Sequence, residues 1–169
     1  MMENIVLIGM PGVGKSTVGV ILAKILGYQF IDSDLVIQEQ EKRLLKDIIA
    51  TEGVQGFIDI ENQLNCRITG EQCVIATGGS VVYGREAMEH YKEIGTIVYL
   101  KQDYERIAKR LRDIRGRGVV LRENQTLEEL YDERQGLYEK YADIIIDEKS
   151  MNVEETIEKL VELLKAYKK

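Results

Sequence analysis

The chain has 169 residues and a mass of 19.3 kDa, and its 23 basic and 29 acidic side chains give a formal charge of −6. That length suits one domain with its own core, and the acidic balance argues against a general nucleic-acid binder, which carries a basic face. No apolar run approaches the ~20 residues that span a bilayer, so no membrane partner is expected. Ile5 to Ile8 is a continuous apolar run ending at Gly9, the pattern of a strand buried on both faces. Lys15 to Leu26 carries apolar residues at Val18, Ile21, Leu22 and Ile25, a helical spacing, and Gly27 supplies its C-cap. Tyr28 to Ile31 reads as a second strand. From Leu35 to about Asn65 the pattern is helical, with a break near Glu52, Gly53 and Gly56. Val74 to Ala76 is a third strand, closed by Thr77-Gly78-Gly79. A helix over Arg85–Ile94, a strand over Thr96–Leu100, a basic helix from Tyr104 to about Ile114, a helix over Leu127–Tyr141 and a strand over Asp143–Ile146 follow. The last helix has Asn152 as N-cap, Glu155 to complete a capping box, and a stripe of Ile157, Leu160, Val161 and Leu164. Five strands alternating with helices predict an α/β fold, a mostly parallel sheet covered on both faces.

Arg115 to Thr126 is the least structured stretch, charged and bearing Gly116 and Gly118, and it is a lid candidate over about 113–126. The first residues lack the basic region and cleavage site of a secretory signal, so a cytoplasmic protein is expected. Cys66, Cys73 and the single His90 cannot fill a tetrahedral zinc site without carboxylates, and the cysteines read as reduced, buried thiols. His90 reads as a surface residue.

Gly9-Met10-Pro11-Gly12-Val13-Gly14-Lys15-Ser16 matches the G-x-x-x-x-G-K-[ST] phosphate loop in full, between a buried strand and an amphipathic helix. Glycines let backbone N–H groups curl round a phosphate chain, and the following helix turns its positive end to the anion. Gly12, Val13, Gly14, Lys15, Ser16 and Thr17 are therefore the nucleotide-binding residues, with Lys15 reaching the β- and γ-phosphates and Ser16 on Mg²⁺. The loop proves nucleotide binding but not the reaction. The short chain and the lack of an Asn-Lys-x-Asp guanine-reading sequence favour a small kinase over a GTPase switch. Asp32-Ser33-Asp34 falls at the carboxyl end of the second strand, the edge where ligands bind in open parallel sheets. One carboxylate can face the metal beside Ser16 and the other the acceptor hydroxyl, as base. A helix N-cap is the other use of the same residues, and the two uses are compatible.

With Phe57 and Glu61, Ala76-Thr77-Gly78-Gly79, Arg117 before two apolar residues, and Arg134 with Tyr138, these motifs make the chain resemble the shikimate kinase family over nearly its whole length. The resemblance implies one P-loop kinase domain over 1–169, a three-layer α/β/α sandwich whose five parallel strands run in the order 2-3-1-4-5. It implies an acceptor-binding helical region over about 33–65. It implies transfer of the ATP γ-phosphoryl group to the 3-hydroxyl of shikimate, a step of aromatic amino acid biosynthesis, by a monomer. By the same resemblance Lys15, Asp34 and Arg117 are catalytic, Ser16 and Asp32 serve Mg²⁺, and Arg110 and Arg117 meet ATP. Asp34, Gly78, Gly79, Ser80 and Arg134 meet the acceptor, with Arg134 on its carboxylate.

Four positions depart from the family pattern. Ile58 stands where the family has an arginine on the shikimate carboxylate, which leaves Glu61 without that partner, and Ser80 stands where it has glycine. Gly118 in the lid and Gly136 after Arg134 stand where it has prolines, so that Pro11 is the chain's only proline beside 15 glycines. Losing one charge-assisted hydrogen bond of about 1.5–3 kcal/mol would weaken carboxylate binding roughly 10- to 100-fold. Glycine for proline predicts a looser lid that closes at greater entropic cost. A kinase for a different small alcohol, and a nucleotide-binding regulatory domain without acceptor chemistry, are the alternatives.

Overall fold

A computed structural model describes residues 3–113 and 119–167. Of the lid candidate, residues 114–118, Arg117 and Gly118 among them, lie outside the described residues. The strands are β1 (Asn4–Ile8), β2 (Gln29–Asp32), β3 (Cys73–Ala76), β4 (Gly95–Lys101) and β5 (Ile144–Asp147). They form one parallel sheet in the order β2-β3-β1-β4-β5, as the resemblance implied. In register, Leu7 on β1 pairs with Ala76 on β3 and Val98 on β4. Every residue of β1 and β3 is buried, as is β4 up to Leu100, because helices cover both faces of the sheet's middle. The edge strand β5 instead alternates buried and exposed residues.

The helices are α1 (Lys15–Leu26), α2 (Ser33–Glu41), α3 (Leu45–Asn65), α4 (Arg85–Ile94), α5 (Tyr104–Asp113), α6 (Leu127–Tyr141) and α7 (Val153–Ala166). Helix α1 lies against β1, β2 and β3 and beside α7, whereas α4 lies against β4 and beside α3. Gly27 closes α1 in the left-handed region, and Asn152 and Glu155 form the expected capping box on α7. A second capping box, Thr126 with Glu129, starts α6. Its T-x-x-E signal is in the sequence but was not used above.

The region between β2 and β3 differs from the single broken helix expected. The chain turns at Lys42 (φ 54°), where α2 ends, and kinks again at Gly53 (φ 73°) within α3. Only the second break carries a glycine, so only it was legible. These helices surround a small second core of Ile37, Ile48, Phe57 and Leu64, and Val120 docks into it from the limb that leads into α6. That limb is more firmly held than its composition suggests, since Arg122 and Gln125 both reach Glu133 on α6. His90 is half-buried rather than on the surface, with its Nε2 2.8 Å from the Ile68 carbonyl oxygen.

Asn4 ties the start of the sheet together. Its Nδ2 donates to the carbonyls of Gly70 (2.8 Å) and Ile94 (3.1 Å), and its Oδ1 accepts from the Cys73 N–H (2.9 Å). Asn4→Ala would leave the buried Cys73 N–H unpaired and should cost about 1–3 kcal/mol of stability, read as a lower urea midpoint with unchanged slope.

Candidate active site

The phosphate loop leaves β1 through Gly9 (φ 149°), where a Cβ would lie 2.7 Å from the Leu100 carbonyl oxygen. No side chain fits there, so glycine is dictated by the neighbouring strand as well as by the torsion. Gly12 (φ 80°) and Gly14 (φ 105°) complete the curl, and Gly14 is the N-cap of α1. Lys15 is buried at the first position of that helix, and its Nζ donates to the carbonyls of Gly9 (2.7 Å) and Met10 (2.9 Å). The ammonium is thereby held beneath the loop at the positive end of α1, where an anion is favoured. On the loop's outer side, Arg110 of α5 donates to the carbonyls of Gly12 (3.1 Å) and Val13 (3.0 Å).

Asp32 caps a helix and lies beside Ser16. Its Oδ1 accepts from the Asp34 N–H (3.0 Å) and caps α2, while its Oδ2 accepts from the Ser16 hydroxyl (2.9 Å). Two oxygen ligands, one anionic, thus adjoin the mouth of the phosphate loop, and they fit a hard cation such as Mg²⁺, which takes oxygen donors.

The third wall comes from the end of β3. The Thr77 hydroxyl (2.9 Å) and N–H (3.2 Å) both donate to the Leu7 carbonyl on β1, which swings Gly78-Gly79-Ser80 alongside the loop. A Cβ on Gly78 would lie 2.7 Å from both Asp34 Oδ1 and Glu61 Oε2. One on Gly79 would lie 2.6 Å from Pro11 Cδ and 2.9 Å from Arg134 Nη1. The missing side chains are what let two acids and an arginine close round the same backbone. The Tyr138 hydroxyl pins the turn by donating to the Gly79 carbonyl (2.5 Å).

Together these walls enclose a cavity of about 430 Å³. Gly12, Gly14, Lys15, Ser16, Thr17 and Asp32 line its nucleotide end. Asp34, Gly78, Gly79, Ser80 and Arg134 line the other. Of the expected residues, Val13 is buried behind the loop and does not border the cavity, nor does Arg110. Arg117 lies outside the described residues.

Arg134 and Glu61 are each 1% exposed. Arg134 Nη2 donates to the Val120 carbonyl (3.0 Å), and its guanidinium carbon lies 5.4 Å from the centre of the Tyr83 ring. Glu61 Oε1 accepts from the Ser80 hydroxyl (2.6 Å). Burial pushes the Glu61 carboxyl up to about 8, with Asp34 adding to the rise, against the opposing pull of Ser80, Arg134 and Lys15. Arg134 Nε and Glu61 Oε2 are buried with no hydrogen-bond partner among the described residues. Unpaired buried polar atoms are rare in folded proteins, and one donor and one acceptor bordering one cavity are what a polar ligand would satisfy.

Glu61, in the sequence only a motif anchor, is a fully buried acid whose carboxyl burial pushes well up. Lys46 was missed altogether. It is exposed, borders the same cavity, and has no ion pair or hydrogen bond among the described residues. No motif marks it, because the turn of the chain at Lys42 is what sets its place. Ile58, by contrast, is buried on α3 and does not border the cavity.

A phosphate loop opening onto a cavity with two carboxylates and a buried arginine, at the carboxyl edge of a parallel sheet, defines a P-loop small-molecule kinase. A family profile described as "Shikimate kinase" matches residues 11–165. The chain is 39% identical over 163 residues to a shikimate kinase of Thermodesulfovibrio yellowstonii, covering 95% of this chain and 94% of that protein. It is 40% identical over 175 residues to a shikimate kinase of Clostridium botulinum strain Okra, covering 99% and 98%. Its structure is similar to that of an Acinetobacter baumannii shikimate kinase in complex with shikimate, with a TM-score of 0.90, 31% identity, and 98% and 94% of the two chains covered. The chain belongs to the shikimate kinase family.

Gly79→Ala should displace Arg134 or Pro11, since the added methyl overlaps both. The acceptor KM is expected to rise about tenfold, the loss of one good hydrogen bond, and steady-state kinetics at saturating ATP would measure it.

Proposed function

We propose that this protein transfers the γ-phosphoryl group of ATP to the 3-hydroxyl of shikimate. The observation that carries this reading is the single cavity that joins the phosphate loop to the buried, partly unsatisfied Arg134. A guanidinium held out of water between Val120 and Tyr83 is a strong partner for a carboxylate, because the desolvated charge gains most from an anion. Lys46 at the same cavity supplies a second cation that compensates in part for Ile58. The whole-length likeness to shikimate kinases favours this over a kinase for another alcohol or a regulatory domain.

In this reading the backbone of Gly12 to Thr17 and the Lys15 ammonium bind the phosphates. Ser16 and Asp32 hold Mg²⁺, which supplies neutralisation of phosphate charge when bound. Arg134 orients the acceptor by its carboxylate, and Gly78 and Gly79 admit its ring close to the backbone. Asp34 accepts the proton of the attacking hydroxyl as the new P–O bond forms and the bond to the ADP oxygen breaks. Arg110 braces the loop from outside, near the nucleotide, and Arg117 closes on the phosphates from the lid. Helices α2 and α3 form the acceptor-binding region of one monomeric, cytoplasmic kinase domain.

Purified protein with ATP, Mg²⁺ and shikimate should release ADP above the background without acceptor. ADP release with another alcohol but not with shikimate would overturn the substrate and keep the class. Asp34→Asn should lower kcat by about 10²–10⁴ with nucleotide binding retained, which isothermal titration with ADP would check.

A further inference from the structure

Position 80 carries a hydroxyl that points at no nucleotide-binding group. Ser80 is 4% exposed, and its Oγ donates to Glu61 Oε1 at 2.6 Å. No lysine or arginine among the described residues forms an ion pair with Glu61. Three residues earlier on the same helix, at the spacing from which a cation could reach it, stands the buried, apolar Ile58. Ser80 is therefore the side chain that fixes this carboxyl. With Oε1 occupied, Oε2 faces across Gly78 toward Asp34 Oδ1, each oxygen 2.7 Å from the same absent Cβ.

We infer that Ser80 is a positioning residue for Glu61, holding the carboxyl so that Oε2 donates a hydrogen bond to an acceptor hydroxyl beside Asp34. This rests on the shikimate reading of the cavity. With the Ser80 hydroxyl donating to Oε1, the proton of the neutral carboxyl is carried on Oε2, the oxygen with no partner among the described residues. Burial keeps that proton in place at neutral pH, because the charged form would sit in a site that excludes water. The groups that face Glu61 are Asp34 from α2, Arg134 and Tyr138 from α6, Lys15 from α1, and Tyr91 from α4. The acid Asp34 supports the neutral form, and the cations Arg134 and Lys15 oppose it. A donor at Oε2 next to an acceptor at Asp34 reads both the oxygen and the hydrogen of a hydroxyl. It thereby favours an acceptor that presents a hydroxyl at that point over one that does not.

The sign of the pH dependence follows. Below about pH 8 Glu61 is neutral and donates. Above it, loss of the proton removes the donor and puts a second negative charge beside Asp34. The shikimate KM should therefore rise about tenfold between neutral pH and well above 8, with kcat changing less. Glu61→Gln should remove that rise, because the amide does not titrate. Ser80→Ala should move the rise to higher pH, since the hydroxyl favours the charged form, and should raise KM on the acid side through loss of positioning. A KM flat with pH in the wild type, or an identical rise in Glu61→Gln, would overturn the inference. Infrared difference spectra of wild type against Glu61→Gln provide a readout independent of turnover. A protonated-carboxyl band at neutral pH, lost near pH 8 and lost at higher pH in Ser80→Ala, supports the unit even if shikimate proves inactive. Absence of that band at neutral pH overturns it whatever the acceptor.

Discussion

The contact on which the site depends is the one between the end of β3 and the end of β1. Parallel pairing runs Ile5 to Leu7 against Val74 to Ala76, and then Thr77 gives both its N–H and its hydroxyl to the Leu7 carbonyl. Two residues after Leu7 the phosphate loop begins, and one residue after Thr77 the Gly78-Gly79-Ser80 turn begins. A single doubly used carbonyl thus joins the wall that carries the phosphate loop to the wall that carries Gly78, Gly79 and Ser80. Because adjacent parallel strands end at the same edge, in-line transfer between two ligands needs no large motion of the sheet.

Around that seam the protein accepts groups that are costly elsewhere. Arg134, Lys15 and Glu61 are all buried, and Arg134 Nε and Glu61 Oε2 have no hydrogen-bond partner among the described residues. Buried charge without full pairing destabilises a fold, so its concentration in one cavity is compensated by the surrounding apolar layers. The continuous burial of β1, β3 and β4, and the satellite core of Ile37, Ile48, Phe57 and Leu64, supply that support. Val120 links the two regions. Its side chain packs into the satellite core while its carbonyl accepts from Arg134, so the limb before α6 touches both the α2–α3 region and the buried guanidinium.

Of the four departures from the family pattern, two lie near Glu61. Ile58 and Ser80 both bear on Glu61, and the nucleotide half is untouched: Gly9 to Ser16 and Asp32 keep the geometry their residue types imply. A change from cation to hydroxyl opposite a buried carboxyl alters its proton affinity more than its position, because a hydroxyl supplies a hydrogen bond without a compensating charge.

Much was legible in the chain alone. The phosphate loop, the acidic pair, the five strands and the caps at Gly27 and Asn152 follow from local rules: φ freedom, side-chain capping and hydrophobic period act over a few residues, so a few residues reveal them. The turn at Lys42 was not legible, since a lysine in the left-handed region has no local signature and is held there by the packing of α2 on α3. Nor was the place of Lys46, which follows from that turn, or the half-burial of His90. The sequence by itself determined a nucleotide-binding α/β fold, because loop and period are written in contiguous residues, and the order of its further motifs gave the kinase family resemblance. Only the tertiary structure decided that Ser80 serves Glu61, that Asp32 both caps a helix and meets Ser16, and that Arg134 lies buried over Tyr83. Those contacts join residues 16 to 19 positions apart and 51 apart in the chain, and hydrogen bonds across such separations exist only after the sheet has brought its ends together.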